Sequence, residues 1–157
     1  MDLPLRTAFL GLLAIALATL TYVLFAQHVQ GYAPCELCLL QRWPWYILIA
    51  LTALGAARPS KALLALAALT LLVSVGFAAY HSGVELKWWE GPSACTTSSS
   101  GANSVEELRA MMMAEPVVRC DEIAWTFLDL SMSNYNFLLS LALFGLTASA
   151  LRKRGSA

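Results

Sequence analysis

The sequence predicts an all-α, polytopic membrane protein: a four-transmembrane-helix bundle with two loops on one side, the second carrying a short amphipathic helix. Three observations predict it. Hydrophobic residues make up 59% of the 157 positions and charged residues 13%, against about 25% charged in soluble proteins. A domain of this length cannot hide so much apolar surface from water, whereas a bilayer can. The apolar residues also gather into four long windows, and most of the basic residues gather at one end of those windows. The net charge is zero, which leaves no overall basic footprint, so no nucleic-acid partner is expected.

The whole chain, 1–157, reads as a single membrane domain. The first span covers about 7–26, where Thr7 to Ala26 carry no charge. Arg6 precedes it, as in a signal peptide, but the run exceeds the about 7–15 residues of a signal core and no clear cleavage site follows. It is read as a retained helix. A loop at about 27–41 holds His28, taken as a solvated loop residue, and "PCELC", which contains Cys35 and Cys38. The second span covers about 40–57. Trp43-Pro44 reads as a helix start, because proline is tolerated in the first turn. Leu39 and Leu40 extend the span if Arg42 snorkels to the interface. The third span covers about 62–80 and the fourth about 135–151, both without a charge. No span shows a polar face wide enough for a soluble amphipathic helix. No span holds an acid or a base at its centre, which argues against a transporter.

The long loop at about 81–134 contains His81, Cys95 and Cys120. Cys95 sits in "PSACTTSSSGANS", a serine-, threonine- and glycine-rich run of the flexible type. "SVEELRAMMM" follows as a short amphipathic helix, with Ser104 and Glu107 as a capping box. Its apolar side suits either the membrane interface or the top of the bundle. Trp125, Phe127 and Leu128 suit an interfacial re-entry, and the acids of this loop are expected to form a solvated face.

Orientation follows from the basic residues. Arg6, Arg58, Lys61, Arg152, Lys153 and Arg154 all fall on one side, and long-loop acids dominate the other. Both termini and the "ARPSK" turn are therefore expected in the cytoplasm. The five tryptophans fall at the opposite border, as an aromatic belt would. All four cysteines share that side, where disulfides persist, as in the bacterial periplasm.

Four cysteines allow three pairings. A four-cysteine zinc site normally uses two close pairs, whereas Cys95 and Cys120 stand far apart; no C-x-x-C-H occurs for haem. No metal is expected. A C-x-x-C disulfide closes a ring too short to stabilise much, and this spacing suits redox switching better. A structural staple remains the alternative. Cys38 lies near a helix N-terminus, whose dipole favours an anion, and Arg42 is four residues on.

The order of features now carries a resemblance: a first span, C-x-x-C with an arginine four residues after its second cysteine, a helical hairpin, a long loop with two separated cysteines, and "W-x-F-L-x-L-x-M" before the last span. It resembles the disulfide bond formation protein B (DsbB) family over nearly the whole chain. The resemblance implies a protein-dithiol:quinone oxidoreductase of the bacterial inner membrane. It would reoxidise a periplasmic DsbA-like thiol oxidase and pass electrons to ubiquinone or menaquinone. It implies that Cys95 forms the mixed disulfide with that partner and that Cys120 is its disulfide mate. Cys35 and Cys38 would serve the quinone, with Cys38 as the thiolate in contact. Arg42 would polarise the quinone carbonyl, and His81 matches a histidine near the quinone; an interfacial histidine with its tip in water is the plainer reading. A vitamin K epoxide reductase type has its membrane-side C-x-x-C late in the chain, whereas here it comes first. A membrane scaffold with two structural disulfides is the reading from outside enzymology.

Overall fold

The computed structural model describes residues 2–92, 104–106, 109 and 118–155. Its elements in chain order are α1 (Asp2–His28), α2 (Glu36–Leu40), α3 (Arg42–Ala57), α4 (Lys61–Glu85), the two-residue strands β1 (Thr126–Phe127) and β2 (Leu130–Ser131), and α5 (Met132–Gly155). Among the described residues, four helical stretches are long and apolar enough to cross a membrane: Pro4–His28, Glu36–Ala57, Lys61–Glu85 and Met132–Lys153. Their outer faces carry large apolar side chains such as Leu10, Leu17, Ile47, Leu54, Leu69, Leu72 and Leu146. Such exposure is tolerated where lipid replaces water.

The helix ends depart from the sequence-based bounds in an informative way. α1 runs to His28, which is exposed at its last turn, and Gly31 (φ 78°) then turns the chain. The second span begins earlier than Trp43-Pro44. Cys35 caps α2, and α2 and α3 are separated only by Gln41. α4 continues past His81 to Glu85, so both residues belong to a helix and not to a loop. It ends with Lys87 in the left-handed region (φ 58°). There Lys87 N–H returns to Val84 C=O at 3.0 Å and Trp88 N–H to Gly83 C=O at 2.9 Å. This is the double closure of a Schellman end, here made without glycine at the turn. The Trp89 indole folds back so close to Gly83 that a Cβ there would lie 2.0 Å from its Cζ2.

One core cluster joins Leu5 and Phe9 of α1, Ala56 of α3 and Leu64 of α4, with Ala150 and Leu151 of α5 packed on it. The start of α1, the end of α3, the start of α4 and the end of α5 therefore meet at one end of the bundle. Phe9 is fully buried, and a Cβ on Gly55 would lie 2.3 Å from its ring. α1 and α3 can approach at this point only because Gly55 has no side chain. Ser74 and Ser140 hydrogen-bond across α4 and α5 at 2.9 Å, a buried polar link of the kind that joins helices in lipid.

The segment before α5 is a small hairpin, which the sequence did not announce. Thr126 pairs with Ser131 and Phe127 with Leu130, antiparallel. Leu128 and Asp129 make the turn at φ 50° and 60°. Two consecutive positive φ values suit a tight hairpin, but Leu-Asp lacks the usual Asn-Gly or Asp-Gly signature. Ser131 then accepts a hydrogen bond from Asn134 N–H at 3.2 Å, capping the first turn of α5. The amphipathic helix expected at "SVEELRAMMM" falls largely outside the described residues.

Candidate functional site

At the end opposite Phe9 a second buried cluster joins Cys35, Leu37, Val84 and Cys120, with Cys38 and Val118 against it. Cys35 and Cys38 are both free, and their sulfurs lie 2.7 Å apart. Cys120 is disulfide-bonded. Cys95 lies outside the described residues. A member of the separated pair thus packs against the C-x-x-C, which sequence distance alone could not establish.

The helix start decides which sulfur is better placed to carry charge. Cys35, not Cys38, is the N-cap of α2, and its Sγ accepts a hydrogen bond from Cys38 N–H at 3.2 Å. Cys38 follows in the first turn of the same helix, so it too lies near a helix N-terminus, with its N–H pointing at the Cys35 sulfur. Cys35 also faces His81 Nε2 at 3.6 Å. The Cys38 thiol hydrogen bond lowers the Cys35 pKa from 9.0 to about 5; burial opposes this, and His81 adds to it. Donors that converge on one sulfur hold its anion.

Arg42 does not snorkel. It is buried at the start of α3, where its Nη1 donates to Gln27 Oε1 of α1 at 2.7 Å. Its Nε is buried and has no hydrogen-bond partner among the described residues. Because a buried donor without an acceptor costs about 1–3 kcal/mol, this atom marks a place for an acceptor to bind. His81 likewise has its polar tip in protein and not in water, at 3% exposure. Gln41 Nε2 meets its Nδ1 at 2.7 Å, and Glu85 Oε1 stands 3.7 Å from its Nε2. His28 takes no part in this group.

The sequence reasoning missed several residues. The sequence places Glu85 among the acids of a solvated face. Instead its carboxylate accepts from Ser131 Oγ at 2.5 Å and from Ser133 Oγ, tying α4 to the foot of α5. Gln41, Trp45 and Asn136 also form part of the site. Asn136 Nδ2 donates to Gln41 Oε1 at 2.6 Å, and Trp45 Nε1 donates to Asn136 Oδ1 at 3.0 Å. The available signal was faint: Asn136 is an amide inside an apolar window, and Gln41 follows a C-x-x-C by three positions.

These groups line a cavity of about 460 Å³. Its wall includes Cys35, Cys38, Arg42 and His81, beside apolar side chains that include Tyr22, Val23 and Leu139. A mostly apolar cavity with a few convergent polar groups fits a small, oil-soluble ligand. The orphaned Arg42 Nε–H fits a carbonyl oxygen on that ligand.

Comparison with known proteins agrees with this architecture. Residues 5–150 match the family described as Disulfide bond formation protein DsbB. Disulfide bond formation protein B of Verminephrobacter eiseniae is 33% identical over 155 residues, covering 93% of this chain and 85% of the relative. The protein of the same name from Aromatoleum aromaticum is 31% identical over 159 residues, covering 96% and 95%. That of Polaromonas naphthalenivorans is 30% identical over 162 residues, covering 98% and 94%. The chain belongs to the disulfide bond formation protein B family and is a multi-pass membrane protein.

Proposed function

We propose that this member of the family reoxidises a periplasmic, thioredoxin-like dithiol oxidase of the DsbA type and passes the electrons to a membrane quinone. The observation that carries the reading is the cavity itself, which sets a free C-x-x-C beside a buried arginine donor lacking an acceptor. In this reading both termini lie in the cytoplasm and the cysteines in the periplasm, at the inner membrane. The gathering of Arg6, Arg58, Lys61, Arg152 and Lys153 at the Phe9 end supports that orientation.

Exchange begins at Cys95, with Cys120 as its disulfide mate. A thiolate of the reduced partner attacks Cys95; the partner–Cys95 disulfide forms and Cys120 leaves as a thiolate. The partner's second thiol then displaces Cys95, so the partner departs with its own disulfide and this chain keeps two thiols. The same exchange against a Cys35–Cys38 disulfide restores the Cys95–Cys120 bond and leaves Cys35 and Cys38 reduced. The packing of Cys120 against Cys35 supports this transfer.

A bound quinone supplies an acceptor for two electrons and two protons. Arg42 would hold its carbonyl oxygen through the Nε–H, with Gln27 keeping the guanidinium in place through Nη1. The apolar wall keeps water out, and Cys35 and Cys38 face the cavity as its thiols. Such an acceptor is thermodynamically necessary. A disulfide of ordinary structural potential, below about −300 mV, would lie more than about 8 kcal/mol on the wrong side of a partner at about −120 mV.

The test is oxidation of a reduced thioredoxin-like dithiol protein by the purified chain with added quinone. Wild type should turn over, and Cys95→Ala should abolish turnover. Unchanged turnover in that variant would overturn the exchange route, and no quinone dependence in wild type would overturn the acceptor.

A further inference from the structure

The hydrogen bonds behind His81 can be assigned a direction from one fixed end. An indole N–H only donates, so the Asn136 atom facing Trp45 at 3.0 Å is its oxygen. Ser140 Oγ donates to the same oxygen at 3.2 Å. The Asn136 amide N–H₂ therefore points to Gln41, at 2.6 Å, and the Gln41 atom that receives it is its oxygen. Gln41 is left with its N–H₂ toward His81 Nδ1, at 2.7 Å. A donor there requires a bare Nδ1. The ring proton then resides on Nε2, the nitrogen that faces Cys35 Sγ at 3.6 Å and Glu85 Oε1 at 3.7 Å. The backbone carbonyl of Cys120, an acceptor only, also faces this ring.

We infer that Trp45, Asn136 and Gln41 are positioning residues that set the tautomer of His81, so that its Nε2–H is aimed at the Cys35 sulfur. The relay starts on α3, crosses to α5, returns to the break between α2 and α3, and ends on α4. Residues of α3, of α5 and of the break between α2 and α3 thus fix one proton. Each amide in it is buried or half-buried, and reversing either one would set donor against donor or acceptor against acceptor. Cys35 Sγ consequently receives two N–H groups, one from the Cys38 backbone and one from His81. His81 acts by donating a hydrogen bond to the sulfur that holds charge, and no bond to carbon or sulfur is made or broken by the ring.

This inference rests on Cys35 and Cys38 being the redox pair of the proposed function, but its test needs no quinone and no partner protein. The reduced full-length chain, labelled with ¹⁵N-histidine in detergent micelles, would be read by the chemical shifts of the ring nitrogens at neutral pH. His28→Gln identifies the His81 signals. The expected result is a protonated Nε2 and a bare Nδ1. Gln41→Glu, which keeps the shape and replaces the donor by an acceptor, should place a proton on Nδ1. Trp45→Phe, which removes the N–H that anchors the relay, should give a mixture of tautomers. The midpoint pH for alkylation of Cys35 should rise by about one unit in His81→Ala, the size expected for losing one hydrogen bond to a charged group. A proton on Nδ1 in wild type, or ring nitrogens unmoved by Gln41→Glu, would overturn the assignment. Those results would leave quinone-dependent turnover untouched, so the two readings fail separately.

Discussion

Where Leu5, Phe9, Ala56 and Leu64 meet, the helices touch through apolar side chains and one glycine; at the Cys35 end, α3, α4 and α5 are joined by a relay of amides, an indole, a histidine and a carboxylate. In lipid, apolar contact gains packing but little transfer energy, because the surroundings are as apolar as the core. The Phe9 end therefore depends on fit. The Cys35 end keeps polar groups buried where each needs a partner, an arrangement costly unless it serves chemistry. Arg42 Nε, which lacks a partner, lies at that end and not the other.

This contrast yields predictions of decreasing size. Cys38→Ala should abolish oxidation of a dithiol partner, while Phe9→Ala should leave turnover per folded molecule unchanged; the assay is partner oxidation normalised to folded protein. Equal loss in both would erase the distinction between the ends. The next effect is in pH. The Cys35 pKa falls from 9.0 to about 5 through the Cys38 thiol hydrogen bond, against burial and aided by His81. Alkylation of Cys35 in the reduced chain should stay near its plateau at pH 7 and decline only as pH falls through about 5. The sign of the linked stability follows: the depressed value stabilises the reduced fold fully above pH 9.0, and the gain is lost as pH falls toward about 5. A midpoint near 9 would remove the converging donors from the account.

Arg42→Ala should raise the apparent KM for quinone about tenfold or more, the scale of a hydrogen bond from a charged group. Single-turnover exchange with the dithiol partner should stay at the wild-type rate. An unaltered KM would take Arg42 out of the cavity's ligand-binding role. The smallest effect belongs to packing. Phe9→Ala should cost roughly 2 kcal/mol of stability by thermal unfolding in detergent, less than in a water-soluble core because only the cavity part of the penalty survives in lipid.

The spans were legible because length and apolarity alone make a membrane helix. The family was legible from the order of its cysteines and Arg42. What stayed hidden depends on distance in sequence. Gln41 and Asn136 are 95 residues apart, and Gln41 and His81 are 40 apart, so no local pattern reveals that they touch. Glu85 reads as a loop acid, but α4 runs one turn beyond His81 and carries it into the bundle. The capping place of Cys35 is hidden in the sequence because Trp43-Pro44 reads as the helix start, whereas α2 begins right after Cys35. The hairpin at Thr126–Ser131 escaped notice because Leu-Asp carries two positive φ values that neither residue favours.

The central claim is that Cys35 and Cys38 deliver electrons to an oil-soluble acceptor in the cavity. A Cys95→Ala, Cys120→Ala double variant keeps only that pair. Reduced, freed of air and mixed with excess quinone, it should lose two thiols for each quinol formed. Thiols that persist while quinone remains oxidised, in a variant shown to be folded, would contradict the account.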